Sequence, residues 1–353
     1  MNLRLTIAAL LLLTACGGSP WVDDGTDGGT DGGTDGGTDG GTGIDGELPP
    51  GTTSPTAGAG IVRYEAKTDE GNGYVTGVTY RSKNDRLMID GLAFDGDNVY
   101  KRGKRVGSLG SVAVYEGKPT VPDDFSGDPV TQITPHRALY GVSPDGTMKF
   151  AIVRTGGYVD YGFGGFIYQR DGGVTLPATG EDTGEFRGQA TYTGKYAGIR
   201  DFKNDDGLEY ATGDMTLDID FDDFNDGNGV KGVIRNRAIF DVNGNDITND
   251  VITALTETSE RNQTRLPEIR FRVGPGVMND NGEITGEVFS TYRNGDGALE
   301  TYETGRYYAL VGGENAENVV GVVVVEADDP RADNVTVRET GGFILDRGEE
   351  ATE

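Results

Sequence analysis

The sequence predicts an all-β protein whose second half closes as an eight-stranded antiparallel up-and-down barrel. Three observations lead there. From Ala211 to Asp222, apolar or small residues alternate strictly with Thr and Asp, the period-two mark of a strand with one buried and one wet face. Turns rich in Gly, Asn and Asp recur at hairpin spacing through residues 181–347, and these residues tolerate the backbone angles that tight hairpins need. Helical periodicity is confined to Asp246–Leu255, where Ile247, Val251, Ile252 and Leu255 would share one face.

The barrel strands follow in chain order. Gly188 to Tyr196 opens the series, with Gly188, Gly194 and Gly198 on one face, where a tightly coiled barrel needs room for crossing side chains. Ala211–Asp222 is second. Asp226-Gly227-Asn228-Gly229 turns the chain into Val230–Phe240. Ile269, Phe271 and Val273 then alternate with Glu268, Arg270 and Arg272. Asn281-Gly282 leads to Ile284–Ser290, and Asn294-Gly295-Asp296-Gly297 leads to Leu299–Leu310. Val319–Glu326 and Gly342–Arg347 close the count. Eight antiparallel strands suffice to close a small barrel and remove its edges. A β-sandwich is the competing architecture, and the meander-like turn spacing favours the barrel.

The region 60–180 is β-rich but less regular. Its expected strands are Tyr74–Tyr80, Arg86–Ile89, Val99–Arg102, Val112–Tyr115, Arg137–Val142, Met148–Arg154 and Val159–Gln169. A Gly-rich link with Pro177 inside it places a boundary near Gly180. The barrel then occupies 181–347, and 348–353 is a short tail.

The N-terminus carries a different signal. Arg4 precedes the apolar run Leu5–Leu13, which is too short for a permanent membrane span and has the layout of a secretory signal, residues 1–15. The run ends in Leu13-Thr14-Ala15-Cys16, which resembles a lipobox, with Cys16 the lipid acceptor. Cys16 is the single cysteine of the chain, so no internal disulfide is expected. Gly17 and Gly18, with no Asp after the cysteine, favour the outer membrane. A Thr-Asp-Gly-Gly repeat follows, and it has nothing apolar to bury. Residues 16–59 therefore read as a lipidated, disordered tether rather than a calcium-binding coil.

A net charge of −27 argues against nucleic acid and against adsorption on anionic lipid, while suiting solubility or a cationic partner. No catalytic set emerges. The one histidine, His136, follows Pro135 and reads as a surface or turn residue; no Gly-x-Ser-x-Gly occurs. Zinc held by Cys and His clusters is excluded by count. Asp218, Asp220, Asp222, Asp223, Asn225 and Asp226 are dense, but alternate strand aspartates lie roughly 6–7 Å apart, too splayed for one calcium ion. No metal or cofactor is expected, and no enzymatic activity. Tyr158, Tyr161, Phe163, Phe166 and Tyr168, set among glycines, are the candidate partner-binding residues. The alternative is a core strand whose rings cover glycines opposite.

Several segments, in order, carry a resemblance: Ala190-Thr191-Tyr192-Thr193-Gly194, then Thr212–Phe221, Gly232–Arg237, Asn315–Val322 and Glu339-Thr340-Gly341-Gly342-Phe343. Together they resemble the barrel of the transferrin-binding protein B family of surface lipoproteins over about Arg187–Arg347. Tyr307-Tyr308-Ala309-Leu310 departs from that pattern by lacking its proline. The resemblance implies a handle-like first domain beside the barrel, an outer-membrane, lipid-anchored location at the cell surface, and capture of a protein ligand, such as a nutrient- or iron-carrying protein, through loops. A periplasm-facing orientation is the alternative placement, and a structural or adhesion lipoprotein without a dedicated ligand is the alternative role.

Overall fold

A computed structural model describes residues 21–23, 47–91, 99–118, 120–122, 126–131, 136–157, 160–177, 188–221 and 228–348. The leader, Cys16, the whole Thr-Asp-Gly-Gly repeat, the expected boundary near Gly180, Tyr158 and residues 222–227 lie outside the described residues.

In the first half the strands are β1 (Trp21–Asp23), β2 (Ile61–Tyr64), β3 (Gly77–Arg81), β4 (Arg86–Asp90), β5 (Val99–Arg102), β6 (Ser108–Leu109), β7 (Val112–Glu116), β8 (Thr120–Pro122), β9 (Pro129–Thr131), β10 (Arg137–Val142), β11 (Met148–Arg154) and β12 (Gly164–Arg170). Apart from the β8–β9 pair, they form one sheet in the order β1-β3-β4-β5-β7-β10-β11-β12-β2, with β6 on β7. This sheet curls into an open half-barrel around Val78, Leu87, Ile89, Tyr100, Tyr115, Ala138, Val153 and Ile167.

The second half holds β13 (Gln189–Lys203), β14 (Leu208–Asp220), β15 (Asn228–Asp241), α1 (Thr248–Ser259), β16 (Ile269–Phe271), β17 (Gly274–Met278), β18 (Glu283–Arg293), β19 (Leu299–Gly312), β20 (Asn318–Asp328) and β21 (Thr336–Arg347). Each strand pairs antiparallel with its chain neighbour. β13 pairs with β14 on one side (Thr191↔Asp218) and β21 on the other (Gly194↔Leu345), so the sheet closes. β16 and β17 share one position between β15 and β18, which leaves eight staves. The fold class is therefore all-β, a closed antiparallel barrel beside a curled sheet.

Local chemistry explains where elements differ from the sequence reading. The fourth stave breaks at Arg272–Val273, both exposed, and resumes as β17; Pro275, which lacks an amide donor, lies within β17, whose pairing with β15 is irregular between Asn228 and Val230. The helix starts at Thr248, whose N–H donates to Asp246 Oδ1 at 2.9 Å, and runs beyond Leu255 to Ser259. Of residues 47–59, expected within the tether, the stretch 50–52 lies along β2, and Ala57 O accepts from Val174 N–H at 2.7 Å. Tyr64 N–H donates to Pro50 O at 3.0 Å and Thr52 N–H to Val62 O at 3.0 Å, so backbone pairing offsets the missing apolar surface.

The two sheets meet over a shared apolar seam. Phe150, Ile152, Phe166 and Tyr168 of the half-barrel pack on Ala197, Ile199, Tyr210, Leu310, Val320 and Val322 of the outer barrel wall. Close approach depends on glycine: a Cβ on Gly342 of β21 would lie 2.2 Å from the Phe150 ring.

Candidate functional site

The four described members of the predicted aromatic patch are mostly spent on this seam. Phe166 and Tyr168 are buried in it, and Phe166 stacks on Tyr308 of β19 with ring centroids 6.1 Å apart. Tyr161 is buried, with the Arg338 guanidinium 4.3 Å from its ring centroid. Phe163 is half-buried and meets Tyr74 edge-on at 5.2 Å. Gly165 lies under Val75, so the glycines provide room for neighbours. Tyr161, Phe166 and Tyr168 join the two sheets, whereas Phe163, the most exposed of the four, packs within the half-barrel.

Charges that the sequence left unmarked also cross the seam. Arg154, fully buried, donates from both terminal nitrogens to Glu65 at 3.0 Å and to Thr340 Oγ1 at 2.8 Å, with Asp201 3.6 Å from Nε. Arg338 donates to Asp201 at 3.1 and 2.5 Å and to Asn72 Oδ1. Burial alone would raise the Glu65 carboxyl, but Arg154 holds it below the usual carboxylate range. Nearer the other end of the seam, Arg63 donates twice to Glu283, at 2.8 and 2.5 Å. Arg170 donates to the carbonyls of Ala59, Gly172, Asn281 and Val311; burial lowers it to about 10. A charged residue at the end of an apolar run, Arg154 after Phe150-Ala151-Ile152-Val153, was the available sequence signal.

The barrel lumen is filled. Tyr192, Tyr196, Phe271, Tyr307, Phe343 and Leu345 occupy it, with Phe271 and Tyr307 stacked at 4.2 Å. Toward the α1 end it holds an ionic cluster. Arg237 donates to Glu303 at 2.7 Å from each terminal nitrogen and to Glu339 at 3.0 Å; Tyr196 donates to Glu339 at 2.9 Å. This lumen is a packed core rather than a ligand cavity.

The open concavity lies on the flank of the seam. Val106, Ser108 and Leu109, around the β6 hairpin, face Thr212, Asp214, Asn236 and Phe240 on the barrel wall across a groove of about 600 Å³. Asp214 accepts from Lys195 Nζ at 2.5 Å and from Asn236 Nδ2 at 2.8 Å, and these bonds hold the Asp214 carboxyl below its ordinary range. Asn236 sits at φ 51° beside a register shift in β14–β15, a bulge that aims its amide outward into the groove.

His136, expected at the surface, is buried, and its Nδ1 lies 3.2 Å from Tyr100 Oη. Burial, with the Arg137 charge beside it, lowers the imidazole to about 4. Tyr100 of β5 and Gly117, just past β7, pack against it, which the preceding proline did not reveal. Asp218 accepts from Thr191 and Asp220 from Gln189. Among the described residues, no group of three or more His, Cys, Asp or Glu is placed to hold a metal ion, and no helix is long and apolar enough to cross a membrane.

No protein-family model matches the chain, and no curated relative does. Among solved structures the chain is similar to a Trp-to-Ala mutant of Transferrin Binding Protein B from Haemophilus parasuis Hp5, at 13% identity and TM-score 0.39, covering 82% of this chain and 45% of that one. It is similar also to intact Ap-TbpB with its N and C lobes, at 11% identity and TM-score 0.30, covering 83% and 61%. The isotype 1 protein from serogroup B Neisseria meningitidis matches at 11% identity and TM-score 0.28, covering 67% and 44%. The chain thus spans less than two thirds of each of these structures. The closed barrel and curled sheet described above rest on this chain's own strand pairing.

Proposed function

We propose that this protein is a membrane-anchored surface lipoprotein that binds a protein partner on its outer surface, without catalysis. The observation that carries the binding role is the contrast between a lumen filled with aromatic and ion-paired side chains and an open groove where the two sheets diverge. A filled barrel serves as a rigid platform, and a groove bordered by loops on such a platform is where recognition is commonly built. The anchoring role is supported by Leu13-Thr14-Ala15-Cys16 and the Asp-Gly-rich tether. The domain division, at 60–180 and 181–347 with a lipidated tether before them, belongs to the same proposal.

Protease shaving of intact cells tests it, with an antibody to the region after Gly60 and a periplasmic control. Loss of the signal while the control survives is expected, together with loss of membrane attachment in Cys16→Ser. Complete protection of the chain would overturn surface exposure and favour a periplasmic scaffold role.

A further inference from the structure

The register of the half-barrel sheet aligns charged residues that are far apart in the chain. Arg81 faces Arg86, Arg86 faces Lys101, Lys101 faces Glu116, Glu116 faces Arg137, and Arg137 faces Arg154. Directly opposed residues in a ladder project from the same face, so one row of five cations and one carboxylate crosses six adjacent strands. The face is the one turned to the barrel, since Val114, Leu139 and Ile152 of the same face belong to the seam core.

Along this row the environment changes steadily. Arg154 is buried and bound to Glu65 and Asp201. Arg137 lies 3.8 Å from Glu116. Beyond Glu116 the sheet curls away from the barrel: Lys101 and Arg81 are exposed and Arg86 half-buried. Among the described residues, none of these three has a carboxylate within ion-pair distance, and neither do Lys104 and Arg105, which lead from the row into the groove. Residues 81–105 hold seven Lys or Arg against four Asp, in a chain of net charge −27. Like charges opposed on neighbouring strands destabilise a sheet, so the row costs stability that a bound anion would recover.

We propose that Arg81, Arg86 and Lys101, with Lys104 and, at the groove mouth, Arg105, form a docking site for an extended acidic segment of a partner protein. Strand spacing makes the exposed row roughly 10 Å long, and carboxylates on alternate residues of an extended chain, roughly 7 Å apart, match it. Half-buried Met88 and Val99, two residues along on the same face, border the row with apolar surface. The size of the ligand separates this reading from a polyphosphate or a bilayer. Screening confines each cation's reach to about 8 Å at physiological salt, so a segment with a few carboxylates meets the local excess of positive charge. A long polyanion or a membrane meets the repulsion of the whole acidic chain.

This inference rests on the binding-protein reading above, and the two can fail separately, because shaving reports placement whether or not the row binds anything. The test is a fluorescence-anisotropy titration of the full chain, in non-ionic detergent, with a decapeptide alternating Glu and Val. Binding is expected to weaken about tenfold in Arg81→Glu/Lys101→Glu and to be lost at about 0.5 M salt, and to stay unchanged in Lys231→Glu/Arg235→Glu on the barrel wall. Circular dichroism melting confirms that both pairs of variants fold. Equal affinity in the row variant, or equal loss in the barrel variant, would overturn the site. So would equal binding of a Lys-Val peptide. Row-dependent binding of phosphatidylglycerol vesicles without peptide binding would assign the site to lipid instead. Peptide binding that emerges only after Asp27, Asp31, Asp35 and Asp39 are changed to Asn would assign it to the chain's own repeat.

Discussion

The barrel and the half-barrel are built from similar strands yet use them oppositely. β14 alternates buried and half-buried residues along most of its length, whereas every residue of β12 is buried. The barrel wall has one face in the lumen and one in water over much of its circumference. β12 lies between two cores, with Ile167 in the curl and Phe166 and Tyr168 in the seam. Both regions bury arginine–carboxylate clusters, but in different places. Arg237 with Glu303 and Glu339 is internal to the barrel, whereas Arg154 with Glu65, Asp201 and Thr340 binds one sheet to the other. Buried polar networks thus serve to fill a closed lumen in one region and to fix an orientation in the other.

The largest expected effect breaks that contrast directly. Arg154→Met leaves Asp201 and Glu65 with less compensating charge in a dry seam and should cost about 3–5 kcal/mol. Differential scanning calorimetry should then resolve a separate, earlier half-barrel transition. Arg237→Met, of similar cost, should lower the barrel transition instead; a single shared transition in both variants would show that the sheets unfold only as one unit.

A smaller effect, about 3 kcal/mol, sharpens the half-barrel side through pH. His136 is neutral in the fold down to about 4, while the unfolded chain takes up its proton near 6.5. The contribution is therefore complete above pH 6.5 and is lost as pH falls from 6.5 towards 4. As the only histidine, it supplies a single set of imidazole NMR resonances, and a titration midpoint near 6.5 would refute its burial. His136→Gln should flatten the pH dependence of stability across that window.

Next comes Gly342→Ala. Its Cβ would crowd Phe150 across the seam, with an expected loss of about 1–3 kcal/mol, read by urea denaturation. The same change at Gly207, where a Cβ would meet nothing within 4 Å but φ is +102°, should act through backbone strain alone, so Phe150→Leu should rescue only the first. Smallest is Lys195→Met at the groove: its pair with Asp214 is exposed, and the loss should stay below about 1 kcal/mol.

The contrast also explains which parts were legible in advance. The strand Ala211–Asp222 announced itself because Thr212, Asp214, Thr216 and Asp218 stand on the wet side of the wall. In Met148–Arg154 and Gly164–Arg170 both faces are covered, and the period-two signal disappears. The bounds of β11 were still readable from its apolar run, but not that Arg154 ends it as the centre of a seam cluster. β2 carries no readable alternation because its buried positions are Ile61 and Arg63, with Val62 and Tyr64 half-buried. The aromatic stretch stood out by composition, yet nothing local distinguishes a ring awaiting a partner from one pressed on Tyr308 or beneath Arg338.

What the amino-acid sequence determined by itself is the all-β class, the eight-stave meander, the leader-like N-terminus and the acidic Gly-rich segment after it. Each follows from neighbours in the chain: alternation, turn residues, a short apolar run, a repeat without apolar groups. Tertiary structure alone decided the seam, the filled lumen, the burial of His136 and the basic row. Arg81, Arg86, Lys101, Arg137 and Arg154 are scattered over more than half of the first region, and only strand register sets them side by side. Register depends on how curled sheets pack, and that is a property of contacts between segments that no single segment encodes.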